Sequence, residues 1–105
     1  MKKLAVQGGE NEKYPKEVDI WTLQDPVPEW LSDAAKVKFV DGDGNLTLDF
    51  IETSNGGIDI IDSSGNERLV NLVSKKSIVC HSTSSGSIFS LTPIQFNLLY
   101  KIIEK

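Results

Sequence analysis

The chain has 105 residues, of which 39% are hydrophobic and 25% are charged, and its formal net charge at pH 7 is −4. This length predicts a single domain over residues 1–105, and no apolar run approaches the roughly 18 residues that a membrane span requires. The acidic balance argues against binding of duplex nucleic acid, which needs clustered cations to displace counterions from the phosphates. An acidic face that docks on a basic partner protein stays open.

The N-terminal segment, residues 1–17, begins with a predicted short strand, Lys3 to Gln7, that is followed by Gly8, Gly9 and a polar run. Terminal segments are poorly ordered unless something ties them down, so we expect either a flexible arm or an edge hairpin. The first residues lack the apolar region of a signal peptide, and Cys80 is the single cysteine of the chain. Both features predict a cytoplasmic protein.

The next segment, residues 18–23, alternates in a way that predicts a strand with Ile20 on one face and Trp21 on the other. Pro26 and Pro28 then predict an extended connector, because the residue before a proline is pushed away from the helical region. A short helix is expected over residues 28–35, with proline in its first turn and acidic residues near its positive end.

From Val37 onward, short apolar runs alternate with turn dipeptides such as Asn55-Gly56, which is typical of antiparallel strands joined by hairpins. Thr92 is a good N-cap, Pro93 suits the first helical position and Gln95 completes a capping box, so we expect a helix from Thr92 to the C-terminus. The fold class predicted is α+β. The strands would form an antiparallel β-meander, or a small curled sheet or barrel, on which the C-terminal helix packs.

The apolar positions of this C-terminal helix cover more than half of its circumference, which exceeds what one sheet needs. Either the helix lies in a groove, or a second apolar flank meets a partner, which makes a homo-oligomer through this helix one of the expectations.

Residues 41–52 invite comparison with a calcium-binding EF-hand loop, since oxygen-bearing side chains such as Asp41, Asp43 and Glu52 fall at ligand positions. Leu46 occupies the position at which that loop needs glycine, and the flanks alternate like strands. A hairpin turn explains the same residues, so neither a metal site nor a cofactor is predicted.

Cys80 and His81 suggest a thiol nucleophile with a neighbouring base, but adjacent residues of a strand point to opposite faces. Neither a Gly-x-Ser-x-Gly elbow nor a phosphate-binding loop occurs in the sequence. We therefore expect no enzymatic activity, a buried Cys80 and an exposed His81.

Two sets of residues are candidates for a binding surface. Tyr14, Trp21 and Trp30 occur among prolines in the acidic first third of the chain, and Tyr100 lies at the edge of the predicted helix. These aromatic residues are the predicted anchors for a partner protein, although core packing is the alternative for at least one tryptophan.

The second set is the basic locus Lys75, Lys76 and His81, which lies near a serine-rich loop. Its charges predict contacts with an anionic ligand.

Three segments, PEWLS at 28–32, IDSSG at 61–65 and FSLTPIQFNLLY at 89–100, resemble small proteins from phages and prophages of low-GC Gram-positive bacteria. The resemblance lies in the general sequence pattern of about two thirds of the chain and includes no motif that is specific for a function. It implies a compact, non-enzymatic protein that binds a host or defence protein in the cytoplasm of the host cell. A counter-defence inhibitor is the function expected from it.

Two other functions stay open at this point. One is a small oligomeric protein that binds an anionic small molecule, and the other is a structural or virion accessory protein. Salt-sensitive capture of a basic partner would favour the inhibitor, and ligand-dependent thermal stabilisation would favour the small-molecule site.

Overall fold

The structure is a computed structural model that describes residues 3–9, 12–40, 42 and 46–104. In chain order its elements are β1 (Lys3–Gln7), β2 (Glu17–Trp21), α1 (Glu29–Ala34), β3 (Val37–Val40), β4 (Leu46–Leu48), β5 (Phe50–Glu52), β6 (Ile58–Ile61), β7 (Arg68–Leu72), β8 (Ile78–Ser82), β9 (Ile88–Leu91), α2 (Pro93–Leu99) and β10 (Tyr100–Glu104). The fold is α+β, as the sequence predicted, and the strand pairings of the described residues are antiparallel.

The strands form a five-stranded sheet with the order β10-β1-β2-β8-β9, a three-stranded sheet β5-β6-β7 and the hairpin β3-β4. A continuous meander was expected, but only the neighbours β1-β2, β3-β4, β5-β6-β7 and β8-β9 follow chain order. Within the described ranges the sheets do not close into a barrel. Turn dipeptides act locally, whereas the joining of β2 to β8 depends on which apolar faces are buried together.

Strand β1 lies inside the five-stranded sheet, between β10 and β2. Its residues Leu4 and Ala5 are buried, at 4% and 0% exposure. Its antiparallel pairing with β2 agrees with the hairpin that was one alternative, whereas an edge position and a flexible arm are wrong for residues 3–7. The strand is ordered because both of its backbone edges are paired, one of them with a segment from the other end of the chain.

Helix α2 begins as predicted but ends early. Gln95 N donates to Thr92 Oγ1 at 3.2 Å and Thr92 N donates to Gln95 Oε1 at 3.1 Å, which completes the capping box. The helix ends at Leu99, and the chain continues as β10, with Ile102 opposite Ala5. The prediction of a helix to the C-terminus is wrong because the β-branched Ile102 and Ile103 find a backbone partner in β1.

The five-stranded sheet has an apolar core on each face, because successive residues of a strand point to opposite sides. The core on the α2 side consists of Ala5, Val18, Ile20, Cys80, Leu91, Phe96 and Tyr100. The core on the opposite side joins the sheet to α1, β4 and the three-stranded sheet, and it consists of Trp21, Leu31, Ala35, Leu48, Ile58, Ile60, Val70, Leu72 and Val79.

The outer side of α2 carries apolar residues that none of the described residues covers. Ile94 and Leu98 are 75% and 80% exposed, and Ile102 of the neighbouring β10 is 50% exposed. These residues are the second apolar flank that the sequence predicted. Among the residues described, no helix has the length and apolar character to cross a bilayer.

The comparison with a calcium loop concerns residues that are only partly described. Asp41, Asp43 and Asn45 lie outside the described residues. The following residues form β4, which pairs with β3, with Leu46 opposite Val40. A strand at this place agrees with the hairpin that was the alternative explanation.

We expect Thr92→Ala to lower the free energy of unfolding by about 1 kcal/mol, the usual value of a side-chain N-cap. The alanine leaves the N–H of Gln95 without its acceptor at the start of a seven-residue helix. Urea unfolding measures the difference, and Thr92→Ser, which keeps a hydroxyl acceptor, is the matched control. Equal stability of the alanine and serine variants would contradict the capping role.

We also expect the free energy of unfolding to fall as the pH rises above about 9. Burial raises the pKa of the Cys80 thiol to about 12 from its ordinary 9.0, and burial likewise raises the pKa of the Tyr100 phenol. The folded state therefore keeps protons that the unfolded state has already released, so stability is complete below the unfolded pKa and declines above it.

Urea unfolding at about pH 8 and about pH 10 tests this expectation. Cys80→Ala removes the thiol, and its stability should decline less between the two pH values. An equal decline in both proteins would show that Cys80 is not the source.

Candidate functional site

The pairing of β2 with β8 brings together two polar side chains that are 62 residues apart in the sequence. Asp19 lies opposite His81 in the register, so both point to the same face of the sheet. His81 Nδ1 lies 3.1 Å from Asp19 Oδ2. Because a carboxylate only accepts, Nδ1 carries the hydrogen and donates it. The side chains are 6% and 21% exposed for Asp19 and His81, so this pair is largely buried.

The second carboxylate oxygen of Asp19 has no partner in the part of the chain that the structure describes. Oδ1 is buried and makes no hydrogen bond. A buried acceptor without a donor costs about 1–3 kcal/mol, and such groups are rare in native structures. The unpaired oxygen of Asp19 therefore lowers the stability of the fold. An acceptor that is left free in this way is a candidate for binding a hydrogen-bond donor from a ligand.

Trp30 covers the pair from the side of α1. Its ring is stacked on the His81 ring, with the ring centroids 4.9 Å apart and an interplanar angle of 8°. Leu31, the next residue, is fully buried and fixes α1 on the sheet. The helix thus holds a half-buried indole above the imidazole, and this contact is worth about 0.5–1.5 kcal/mol beyond the burial of area.

The segment between β2 and α1 is fixed by a turn. Asp25 N donates to Thr22 O at 3.0 Å, and Thr22 Oγ1 donates to Asp25 Oδ2 at 2.9 Å. Trp21 Nε1 donates to Asp25 O at 3.0 Å. Pro26 and Pro28 then restrict the connector to extended conformations. This segment is therefore a rigid wall.

These elements enclose a cavity of about 790 Å³. It is lined by Asp19, Ile20, Trp21, Asp25, Pro26, Val27, Pro28, Glu29, Trp30, Asp33 and His81. We call this cavity the acidic cleft, since the described lining contains four carboxylates and neither lysine nor arginine.

The carboxylates of the acidic cleft lie at different depths. Asp19 is buried at the sheet, Asp25 is half-buried, and Glu29 and Asp33 are exposed on α1. Glu29 and Asp33 are four residues apart, so they lie on the same side of the helix. Negative charge therefore extends from the rim of the acidic cleft to its floor, an arrangement that attracts a cation.

Of the predicted aromatic anchors, the structure brings Trp21 and Trp30 to the acidic cleft. Trp21 is only 4% exposed and belongs to the core, so it forms a wall and offers little surface. Trp30 is half-buried and presents its ring to the cavity. Core packing, the alternative considered for one tryptophan, holds for Trp21.

The two predicted tyrosines lie elsewhere. Tyr100 is 5% exposed, stacks on Phe96 with ring centroids 5.6 Å apart, and donates to Pro15 O at 2.6 Å. It is a core residue, so its prediction as a surface anchor is corrected. Tyr14 is half-buried against Phe89, with ring centroids 5.9 Å apart, and it does not line the acidic cleft.

The predicted basic locus is not assembled into one site. Lys75 and Lys76 are exposed in the turn before β8, whereas His81 lies near the end of that strand. Five extended residues span roughly 16 Å, so the backbones of Lys76 and His81 lie about that far apart. Of the three residues, only His81 lines the acidic cleft. It is partly buried there beside a carboxylate, whereas an exposed side chain was expected.

Sequence reasoning missed Asp19 as well as Glu29 and Asp33. One signal for Asp19 was available, because a lone carboxylate between Val18 and Ile20 shares a strand face with Trp21, a large apolar residue. A charged residue at a position that faces the core lowers the stability of the fold unless it is paired and hydrogen-bonded, so its presence there indicates a specific partner. The partner, His81, was not predictable from the local pattern.

The lining of the acidic cleft limits its chemistry. Its described lining contains no serine, threonine, cysteine or lysine, so no hydroxyl, thiol or amine nucleophile of that lining lies beside the imidazole. Cys80 points to the opposite face, as expected, and belongs to the α2-side core. No group of three or more metal-ligating side chains occurs in the described ranges.

Comparison with known proteins adds no relative: no family model, no curated protein and no solved structure matches the chain.

We expect His81→Leu to lower the free energy of unfolding by about 3 kcal/mol, because it leaves the buried Asp19 carboxylate without a donor. The double variant Asp19→Leu/His81→Leu removes the buried charge as well, so it should recover a large part of this loss. Urea unfolding of both variants checks the difference. A double variant less stable than the single one would contradict the account of a buried, charge-dependent pair.

Proposed function

We propose that the protein is a non-enzymatic binding protein, and that the acidic cleft holds a basic surface of a partner protein. The single observation that carries this proposal is the buried Oδ1 of Asp19, which lacks a hydrogen-bond donor in the described residues of a cavity lined by further carboxylates. A cationic group from a partner would supply the missing donor and offset the negative charge.

The construction of the acidic cleft supports a protein partner. The turn at Thr22 and Asp25 and the two prolines fix its wall before binding, so little conformational entropy is lost when a partner docks. Trp30 is half-buried at its mouth, and tryptophan is enriched among the residues that contribute most to binding at protein interfaces. Glu29 and Asp33 surround the mouth as exposed charges, which steer a basic surface toward it.

The acidic cleft disfavours the other candidate, an anionic small molecule. Its carboxylates would repel an anion, and Lys75 and Lys76 lie outside its lining. A basic partner is thus the better fit for the site that contains His81.

The biological setting rests on the resemblance of the sequence to small phage proteins. In that setting the partner is a host or defence protein, and the protein acts in the host cytoplasm as an inhibitor that occupies the partner's basic surface.

A titration with a basic peptide tests the proposed function. The probe is a Gly/Ser peptide that carries several lysine and arginine residues, and amide chemical-shift changes measure where and how tightly it binds. We expect changes on β2, the connector and α1, and weaker binding at high salt because exposed charges are screened.

The rim charges are tested with Glu29→Gln/Asp33→Asn, which should weaken binding about fivefold if each charge contributes roughly 0.5 kcal/mol. The matched control is Glu52→Gln/Glu67→Gln, which removes the same net charge from exposed positions outside the cavity lining. Equal weakening in both double variants would mean that only net charge matters. That result, or shifts confined to another face, would contradict the proposal.

A further inference from the structure

We propose that the acidic cleft is specific for arginine, and that its floor receives the guanidinium group of an arginine side chain from the partner protein. This inference rests on the proposed function, because it names the group that the basic surface inserts. Two independent observations carry it: the unpartnered oxygen of a buried carboxylate and the stacked aromatic pair beside it.

The first observation concerns hydrogen-bond geometry. Asp19 lines the cavity, its side chain is only 6% exposed, and Oδ2 is already occupied by His81. The remaining oxygen, Oδ1, needs a donor that enters the protein without its own water shell. Guanidinium is more weakly hydrated than an ammonium group, and its donors lie in one rigid plane. It therefore loses less than lysine on reaching a buried acceptor.

The second observation concerns shape. The rings of Trp30 and His81 stack on each other and are parallel within 8°, so each ring has one face covered by the other and a second flat face. A planar guanidinium stacks on an indole ring, whereas a tetrahedral ammonium makes only a point contact with it. Trp30 is half-buried, which leaves part of its ring for such a contact.

The third step concerns the number of donors. A guanidinium has five N–H groups, and one buried oxygen satisfies only one or two of them. Glu29 and Asp33 line the same cavity from α1 and provide further acceptors nearer the solvent. The acidic cleft thus offers carboxylate acceptors both at its buried floor and nearer the solvent. The donors of a guanidinium are spread over three nitrogen atoms and can reach acceptors at both depths, whereas the three donors of lysine all belong to one nitrogen atom.

The experiment compares two peptides of equal length and charge, Gly/Ser chains in which every basic residue is either arginine or lysine. Because the charges are equal, general electrostatic attraction is the same for both. We expect the arginine peptide to bind about tenfold more tightly than the lysine peptide, owing to the planar, multiply bonded contact. Acetyl-arginine amide is a third probe, and it should bind much more weakly than the arginine peptide if the source is a partner protein.

Asp19→Asn is the decisive variant, since it keeps the shape of the side chain and removes its charge. It should abolish the preference for arginine, while Glu29→Gln/Asp33→Asn should weaken both peptides through the loss of charge and keep the preference, because the amide oxygens still accept hydrogen bonds. If Asp19→Asn fails to fold, the inference is tested on the complex of the wild-type protein with the arginine peptide. Labelled arginine in the bound peptide should show nuclear Overhauser contacts to the Trp30 ring, and their absence in a complex that forms would overturn the inference.

The outcomes separate this inference from the proposed function. Equal binding of both peptides on the acidic cleft would overturn the arginine specificity and leave the proposed function intact. Absence of binding by both peptides at that face would overturn both. Binding of acetyl-arginine amide as tight as that of the peptide would overturn the assignment to a partner's side chain, because a free small molecule would then suffice.

Discussion

The antiparallel pairing of β2 with β8 is the constraint on which the rest of the structure depends. It joins the strands β10, β1 and β2 to the strands β8 and β9 in one sheet. Both apolar cores pack on this sheet, one on each face. The same register puts Asp19 opposite His81, so a shift by one residue would leave these two side chains on opposite faces of the sheet. The fold and the acidic cleft are therefore set by one pairing.

Under the proposed function, the acidic cleft is a binding site that is held at a cost to stability. A buried carboxylate oxygen without a donor, together with exposed acids around the same cavity, would be removed if stability alone mattered. The large apolar core behind Trp21 and Leu31 offsets this cost and fixes the walls. The charged groups are thus held in place by the fold itself, and such preorganisation would reduce the free energy lost on binding of the proposed partner.

The parts of the site differ in how far the sequence predicts them. Trp30 and its short helix follow from the proline connector and from local patterning, and the structure has them where they were expected. Tyr100 was placed on a helix because the apolar spacing fits one, yet it lies in the core at the start of a strand. Asp19 carried a signal of its own, an acid in an apolar strand. The sequence near His81 carried no signal that this residue pairs with Asp19, because 62 residues separate the two.

Several features follow from local sequence patterns alone: the α+β class, the N-cap of α2, the short helix α1, the alternation that separates Cys80 from His81, and the acidic, aromatic first third. These depend on side chains and backbone groups within a few residues of one another. Only the tertiary structure decided that the chain after Leu99 is a strand, that β1 is an interior strand and that Asp19 meets His81. A strand is stabilised by backbone hydrogen bonds to a partner that is distant in sequence, so local patterns do not specify which segments pair.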